Sequence, residues 1–227
     1  MFPWTGGQLF GGRTVLQDFS LEHDLIRAIK IPFEDPKTQF FDKGFDGFPA
    51  FGLLPGSDVK VPYRIILPEK LYSEFTIQAT VKLSSHDGGF LFAVVNPLET
   101  VVQLGIQITP ANENPGHSNF SLFYTDANTH FSSEIIASFD VFAFKVTSNN
   151  VTLYFNCHEY DSVQIKKSPS ELIFDSASTL YVGQAGPLLK GSFNGSLQEL
   201  KLYGSANQAE LQWSGEDEYN FSFVSLI

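Results

Sequence analysis

The chain has 227 residues, with 14 Lys and Arg against 25 Asp and Glu, for a formal charge of −11 and a pI near 4.8. Such an acid excess repels a phosphate backbone, which excludes wrapping of DNA or RNA. A composition of 43% hydrophobic and 17% charged residues is globular, and this length suits one large domain. No stretch reaches the roughly 18 to 20 apolar residues of a membrane span, and residues 1–7 lack the basic and apolar regions of a signal peptide.

Residues 1–17 are rich in Gly and Phe without a period and read as a loose leader. From 18 to 30, Leu21, Leu25, Ile26 and Ile29 share a helical face, with Asp18 or Ser20 as cap and Pro32 as stop, which predicts a short amphipathic helix. A Gly-, Pro- and Asp-rich stretch follows, with a short strand expected over 48–53. The period then becomes two. Residues 75–83 alternate without an error, which predicts Phe75, Ile77, Ala79, Val81 and Leu83 on one buried face.

His86-Asp-Gly-Gly89 is turn chemistry with positive φ. Residues 90–95 are continuously apolar, as a central strand buried on both faces would be. Strands are further expected at 101–109 and 120–124, then at 134–146 and 151–157 around Ser148-Asn-Asn150, and last at 172–174, 179–182 and 193–203. About ten short strands separated by turn signals, with almost no helix, describe an antiparallel β-sandwich. The tail, 205–227, is acidic at Glu216, Asp217 and Glu218 and then apolar to Ile227.

Several of these runs carry a family resemblance. Residues 75–83, Gly88-Gly-Phe-Leu-Phe-Ala93, Leu104-Gly-Ile-Gln-Ile108, Val151-Thr-Leu-Tyr-Phe-Asn-Cys157, Leu180-Tyr-Val-Gly-Gln-Ala-Gly186 and 193–202 follow one another as in a thrombospondin-N-terminal, laminin-G-like domain. With Gly47-Phe-Pro-Ala-Phe51 and Leu122-Phe-Tyr-Thr125, the set resembles the N-terminal non-collagenous module of the multiplexin collagens, types XV and XVIII, over residues 22 to 204.

The resemblance implies a concanavalin-A-like all-β jelly-roll sandwich over 18–204, in a secreted glycoprotein of the extracellular matrix. It also implies no catalysis, and matrix proteins or glycosaminoglycans as partners, with neither nucleic acid nor membrane among them. Three departures stand out. The stretches 138–141 and 142–146 run straight together where the family has a Trp-containing connection, so a fused, bent strand is one expectation. The Cys matching Cys157 pairs in the family with a second one, and none follows Tyr203. Signal peptide and collagenous stretch are both missing from 1–227, as in a truncated isoform, a gene-model fragment or an excised module.

Candidate chemistry is sparse. Cys157 lies on the apolar phase of Val151, Leu153 and Phe155, and the adjacent His158 points to the opposite face, so a Cys–His pair is rejected and the thiol is expected to be unpaired. The five His show no ligand spacing, and no metal or cofactor is expected. The one candidate cation is Ca²⁺, from the dispersed oxygen donors of Asp87, Asn96, Glu99 and Asp126.

Rim loops around Asp87, Asn96, His117 and Lys166–Lys167 are the expected binding surface, since rigid sheets position variable loops. Lys190 and Lys201 could join Lys166 and Lys167 in a basic cluster. Four sequons begin at Asn119, Asn150, Asn194 and Asn220. The alternative reading is a lectin-like or glycan-active jelly roll. A glycan-cleaving member needs two carboxylates converging within about 5 to 10 Å, and Trp4 and Trp213 lie outside the sandwich, away from any sugar-stacking role.

Overall fold

A computed structural model describes residues 22–44, 47–85, 87–111, 118–129, 132–139, 144–155 and 158–206. Its fourteen strands are β1 (Glu22–Asp24), β2 (Gln39–Lys43), β3 (Pro49–Leu53), β4 (Val59–Pro62), β5 (Phe75–Leu83), β6 (Gly89–Val95), β7 (Val102–Pro110), β8 (Ser118–Tyr124), β9 (Ile135–Phe139), β10 (Phe144–Val146), β11 (Asn150–Phe155), β12 (His158–Gln164), β13 (Thr179–Val182) and β14 (Gly195–Tyr203). They form two antiparallel sheets. One follows the order β12-β11-β10-β5-β14-β3-β2, with β1 also paired to β14; the other follows β4-β13-β6-β7-β8-β9.

The alternation read in 75–83 is realised on β5. Phe75, Ile77, Val81 and Leu83 are buried in the core between the sheets, with Ala79 packed against it. β14 faces the same core through Leu197, Leu200 and Leu202, after a bulge between Leu197 and Glu199 corrects its phase.

The central strands of the six-stranded sheet are buried on both faces. Leu91, Phe92 and Val94 of β6 enter the main core, while Phe90, Ala93 and Val95 enter a second cluster with Val102, Phe123, Tyr181 and Ala185. This explains why 90–95 reads as an unbroken apolar run. Gly88 and Gly89 take φ of 75° and 137°, as the turn chemistry requires.

Four expectations need correction. The helix over 18–30 is a strand, β1, followed by one 3-10 turn, Leu25–Ala28. Pairing of residues 22–24 with β14 takes up the backbone that a longer helix would need. The cap is Asp24, whose side chain accepts from the Ile26 N–H at 3.1 Å; Asp18 and Ser20 lie outside the described residues. The stretch 134–146 is neither one bent strand nor a hairpin. β9 pairs with β8 in one sheet, and β10 lies between β5 and β11 in the other. An extended chain covers about 3.3–3.6 Å per residue, so the steps from Phe139 to Phe144 reach farther than the ~10 Å between stacked sheets.

Residues 172–174 form no strand and make only an isolated bridge, Ile173 to Lys70. Finally, β2, β4 and β12 went unread. In β2, Phe40 lies against Gly52, and Phe41 packs with Phe33 and Phe51, so consecutive Phe residues conceal the period.

Candidate functional site

The start of β5 and the end of β14 are neighbours, with Thr76 opposite Tyr203. Beyond them opens a cleft of about 420 Å³. One wall is residues 70–74. It is held by the Leu71 N–H donating to the Leu172 carbonyl at 2.8 Å, and by Phe174 N–H to Glu69 at 3.0 Å. The buried Leu71 and Leu172 anchor this pair of segments in the core, which leaves Lys70 and Glu171 above it in a 2.5 Å ion pair.

The opposite wall is Gly204, Ser205 and Ala206. Thr76, itself buried, fixes this wall by donating its hydroxyl to the Ser205 carbonyl at 2.9 Å. Gly204 permits the close approach of Tyr72, because a Cβ there would come within 2.6 Å of that ring. Behind Tyr72, its hydroxyl meets His23 Nε2 at 2.9 Å, and Nδ1 meets the Ile66 carbonyl at 2.7 Å. A carbonyl only accepts, so Nδ1 carries the proton and Tyr72 donates to Nε2. Glu74 accepts from the Ser148 hydroxyl at 3.2 Å.

Lys167 sits behind this cleft. It is 8% exposed, donates its ammonium to the Ser73 carbonyl, and faces the rings of Phe75 and Tyr124 at 5.8 and 5.5 Å from their centres. Burial pushes its pKa below the ordinary lysine value, and the carboxylates of Glu74 and Glu171 oppose that shift. The two ring faces compensate part of the lost hydration through their quadrupoles. Lys167 is therefore a prop for the cleft wall and not part of an exposed basic surface; only Lys166 of that pair is exposed.

Lys201, which could have joined Lys166 and Lys167, is engaged by carboxylates instead. Lys201 projects from β14 and lies 3.2 Å from both Glu22 and Glu199. Asn96, expected as a rim-binding residue, is 5% exposed and closes the β6–β7 turn. Its Oδ1 accepts the N–H groups of Thr100 and Val101 at 2.9 Å each. Glu99, in the same turn, has φ of 58° and accepts the Tyr181 hydroxyl. Asp126 accepts from both the backbone and side-chain nitrogens of Asn128. Of the Ca²⁺ donors only Asn96 and Glu99 share a turn, and the described residues hold no group of three or more His, Cys, Asp or Glu suited to a metal ion.

Asp87 is exposed in the β5–β6 loop; His117 and Cys157 lie outside the described residues. The cleft residues Lys70, Tyr72, Glu74, Glu171 and Ser205 escaped the sequence reading, because 63–74 carries no period and its charges meet their partners only in space. Two pairs of carboxylates come together: Glu22 and Glu199 each lie 3.2 Å from the Lys201 ammonium, and Glu74 and Glu171 line the same cleft.

No family model matches the chain. It is 25% identical over 191 residues to the human collagen alpha-1(XVIII) chain, an alignment covering 81% of this chain and 11% of that one. The chain thus spans about a tenth of that relative's length. Among solved structures, domain 4 of an extracellular arabinanase from Geobacillus stearothermophilus, in complex with arabinotriose, superposes with a TM-score of 0.52 at 15% identity, over 78% of this chain and 82% of that one. The binding domain of botulinum neurotoxin DC, in complex with rat synaptotagmin II, gives 0.50 at 12%, over 82% and 48%. The fold is a concanavalin-A-like jelly-roll sandwich. Among the described residues no helix is long and apolar enough to cross a membrane.

Proposed function

We propose that this chain is a non-enzymatic recognition module of the extracellular matrix, corresponding to the N-terminal non-collagenous part of a multiplexin-type collagen. The observation that carries this reading is the similarity to collagen alpha-1(XVIII) across 81% of the chain. Its partners are matrix proteins or glycan chains, and the polar cleft beyond β5 and β14 is its recognition surface. A binding role is favoured over a cleaving one by the state of the carboxylates. Glu22 and Glu199 are both engaged by the Lys201 ammonium, and Lys70 pairs with Glu171, so these carboxylates already have cationic partners.

Secretion goes with the reading, and the sequons supply its test. Asn119 on β8 and Asn150 at the start of β11 are half-buried at the surface, whereas the Asn194 side-chain oxygen is buried without a hydrogen-bond partner. Asn220 lies outside the described residues. Fused to a signal peptide and expressed in secretory cells, the chain is expected in the medium, with a mass that drops on N-glycan removal. The double variant Asn119→Gln, Asn150→Gln should lose most of that drop. Retention in the cell as aggregate would overturn the reading.

A further inference from the structure

We infer that the cleft between residues 70–74, Glu171 and 204–206 binds an uncharged saccharide unit, a neutral polyol gripped by mixed donors and acceptors beside one aromatic ring. The inference rests on the cleft being the recognition surface and goes on to name its ligand class. Its volume of about 420 Å³ lies within the ~300–1,000 Å³ of small-molecule sites.

The lining decides the chemistry. An anion entering the cleft would meet the carboxylates of Glu74 and Glu171, and a cation would meet the ammonium of Lys70, backed by the buried Lys167. The lining carries one Lys and two Glu, with Lys167 behind the wall as a second ammonium, so a ligand of either sign meets a like charge as well as an opposite one. An apolar ligand would strand the polar groups of Ser73, Glu74, Glu171 and Ser205 without water. A ring bearing several hydroxyls satisfies every constraint, because each hydroxyl both donates and accepts. Glu74 and Glu171 accept hydrogen bonds from its hydroxyls, while Lys70 and the serine hydroxyls donate to them. Tyr72 also lines the cleft, its ring packed close against Gly204, and gives the ligand one aromatic neighbour.

The cleft is also stiff, as a site for a weakly held polyol must be. His23 holds the Tyr72 hydroxyl, Gly204 lets the ring lie against the backbone, and Lys167 and Thr76 pin the two walls through the carbonyls of Ser73 and Ser205. Walls fixed before binding spare the ligand the entropy of ordering them.

The test uses the purified full chain on a glycan array carrying neutral, sialylated and sulfated oligosaccharides side by side. Amide shift mapping with the strongest neutral oligosaccharide follows. Neutral oligosaccharides are expected to be retained, with shifts concentrated at residues 70–74, 171 and 204–206. Glu171→Gln and Tyr72→Ala should each weaken binding about tenfold or more. Gly204→Ala should weaken it through the displaced Tyr72 ring, whereas Glu159→Gln, on the exposed β12, should leave it unchanged. Unaltered amide spectra outside the cleft establish that each variant is folded. Retention of sulfated or sialylated glycans alone, of none, or retention indifferent to the cleft variants overturns the inference. A chain that is secreted and captures matrix proteins but no neutral glycan keeps the matrix reading and loses this one; neutral-glycan binding by a chain that cells fail to secrete does the reverse.

Discussion

The outer faces of the two sheets are opposites. On the six-stranded sheet, Phe90, Ala93, Val95, Val102, Phe123 and Tyr181 form an apolar layer closed by Ala185 and Leu189 from the segment after β13. The outer face of the eight-stranded sheet is polar and internally bonded. Gln78 donates to Glu199 at 3.0 Å, Ser196 donates to Asp42 at 2.5 Å, and Lys201 bridges Glu22 and Glu199. On the proposed reading, the difference separates stability from recognition. The central strands of one sheet are sealed on both sides, and the polar surface and the cleft lie with the other.

The sharpest way to break that comparison is a pair of lysines. Ala93→Lys places a charge and extra volume in the sealed layer, where Ala93 is fully buried, and is expected to cost more than about 4 kcal/mol or abolish folding. Thr80→Lys stands opposite Glu199 on the polar face and should change stability by less than about 0.5 kcal/mol. Thermal or urea unfolding of the two variants decides it; equal effects would mean that the segment after β13 is only a loose cover. A smaller loss, about 1–2 kcal/mol, is expected for Tyr181→Phe, which leaves the ring packed and removes its hydrogen bond to Glu99. That loss should be accompanied by faster amide exchange in the turn where Glu99 holds its left-handed backbone.

The smallest effect is a pH dependence on the polar side. Burial holds the His23 imidazole below its ordinary pKa, with the hydrogen bond to the Ile66 carbonyl opposing. The unfolded chain therefore takes up the proton first as pH falls below about 6.5. Stability contributed by neutral His23 is fully present above that value and is lost as pH falls toward and through the folded pKa. The charged groups nearest in sequence and across the strand pair are Glu22, Asp24 and Lys201. His23→Gln should flatten the stability profile in the interval just below pH 6.5. An unchanged slope in urea titrations across that interval would show that another group governs it.

Much of the sandwich was legible because its strands advertise their burial. The alternation of 75–83 specifies one buried face and the unbroken apolar run of 90–95 specifies two; 90–95 is buried throughout, and Phe75, Ile77, Val81 and Leu83 are buried as read, with Ala79 half-buried and Thr76 buried on the other face. Where the period failed, the reading failed with it. β2 hides its phase behind Phe40 and Phe41, and β12 is too polar to show one. Leu21, Leu25, Ile26 and Ile29 keep a helical spacing that β14 overrides by pairing with 22–24. Lys166 and Lys167 show the same limit at the site. Adjacent and identical in sequence, one is exposed and the other is enclosed by Phe75 and Tyr124.

The sequence by itself determined the all-β class, the core faces of the central strands and the glycine turn between β5 and β6, since these follow from local periodicity and backbone sterics. Only the tertiary structure decided where the chain changes sheets between β9 and β10, which lysine is buried, and which charges meet. Lys70 reaches Glu171 and Tyr72 reaches His23 across long separations. Such pairings depend on which strands become neighbours, a property that no window of consecutive residues contains.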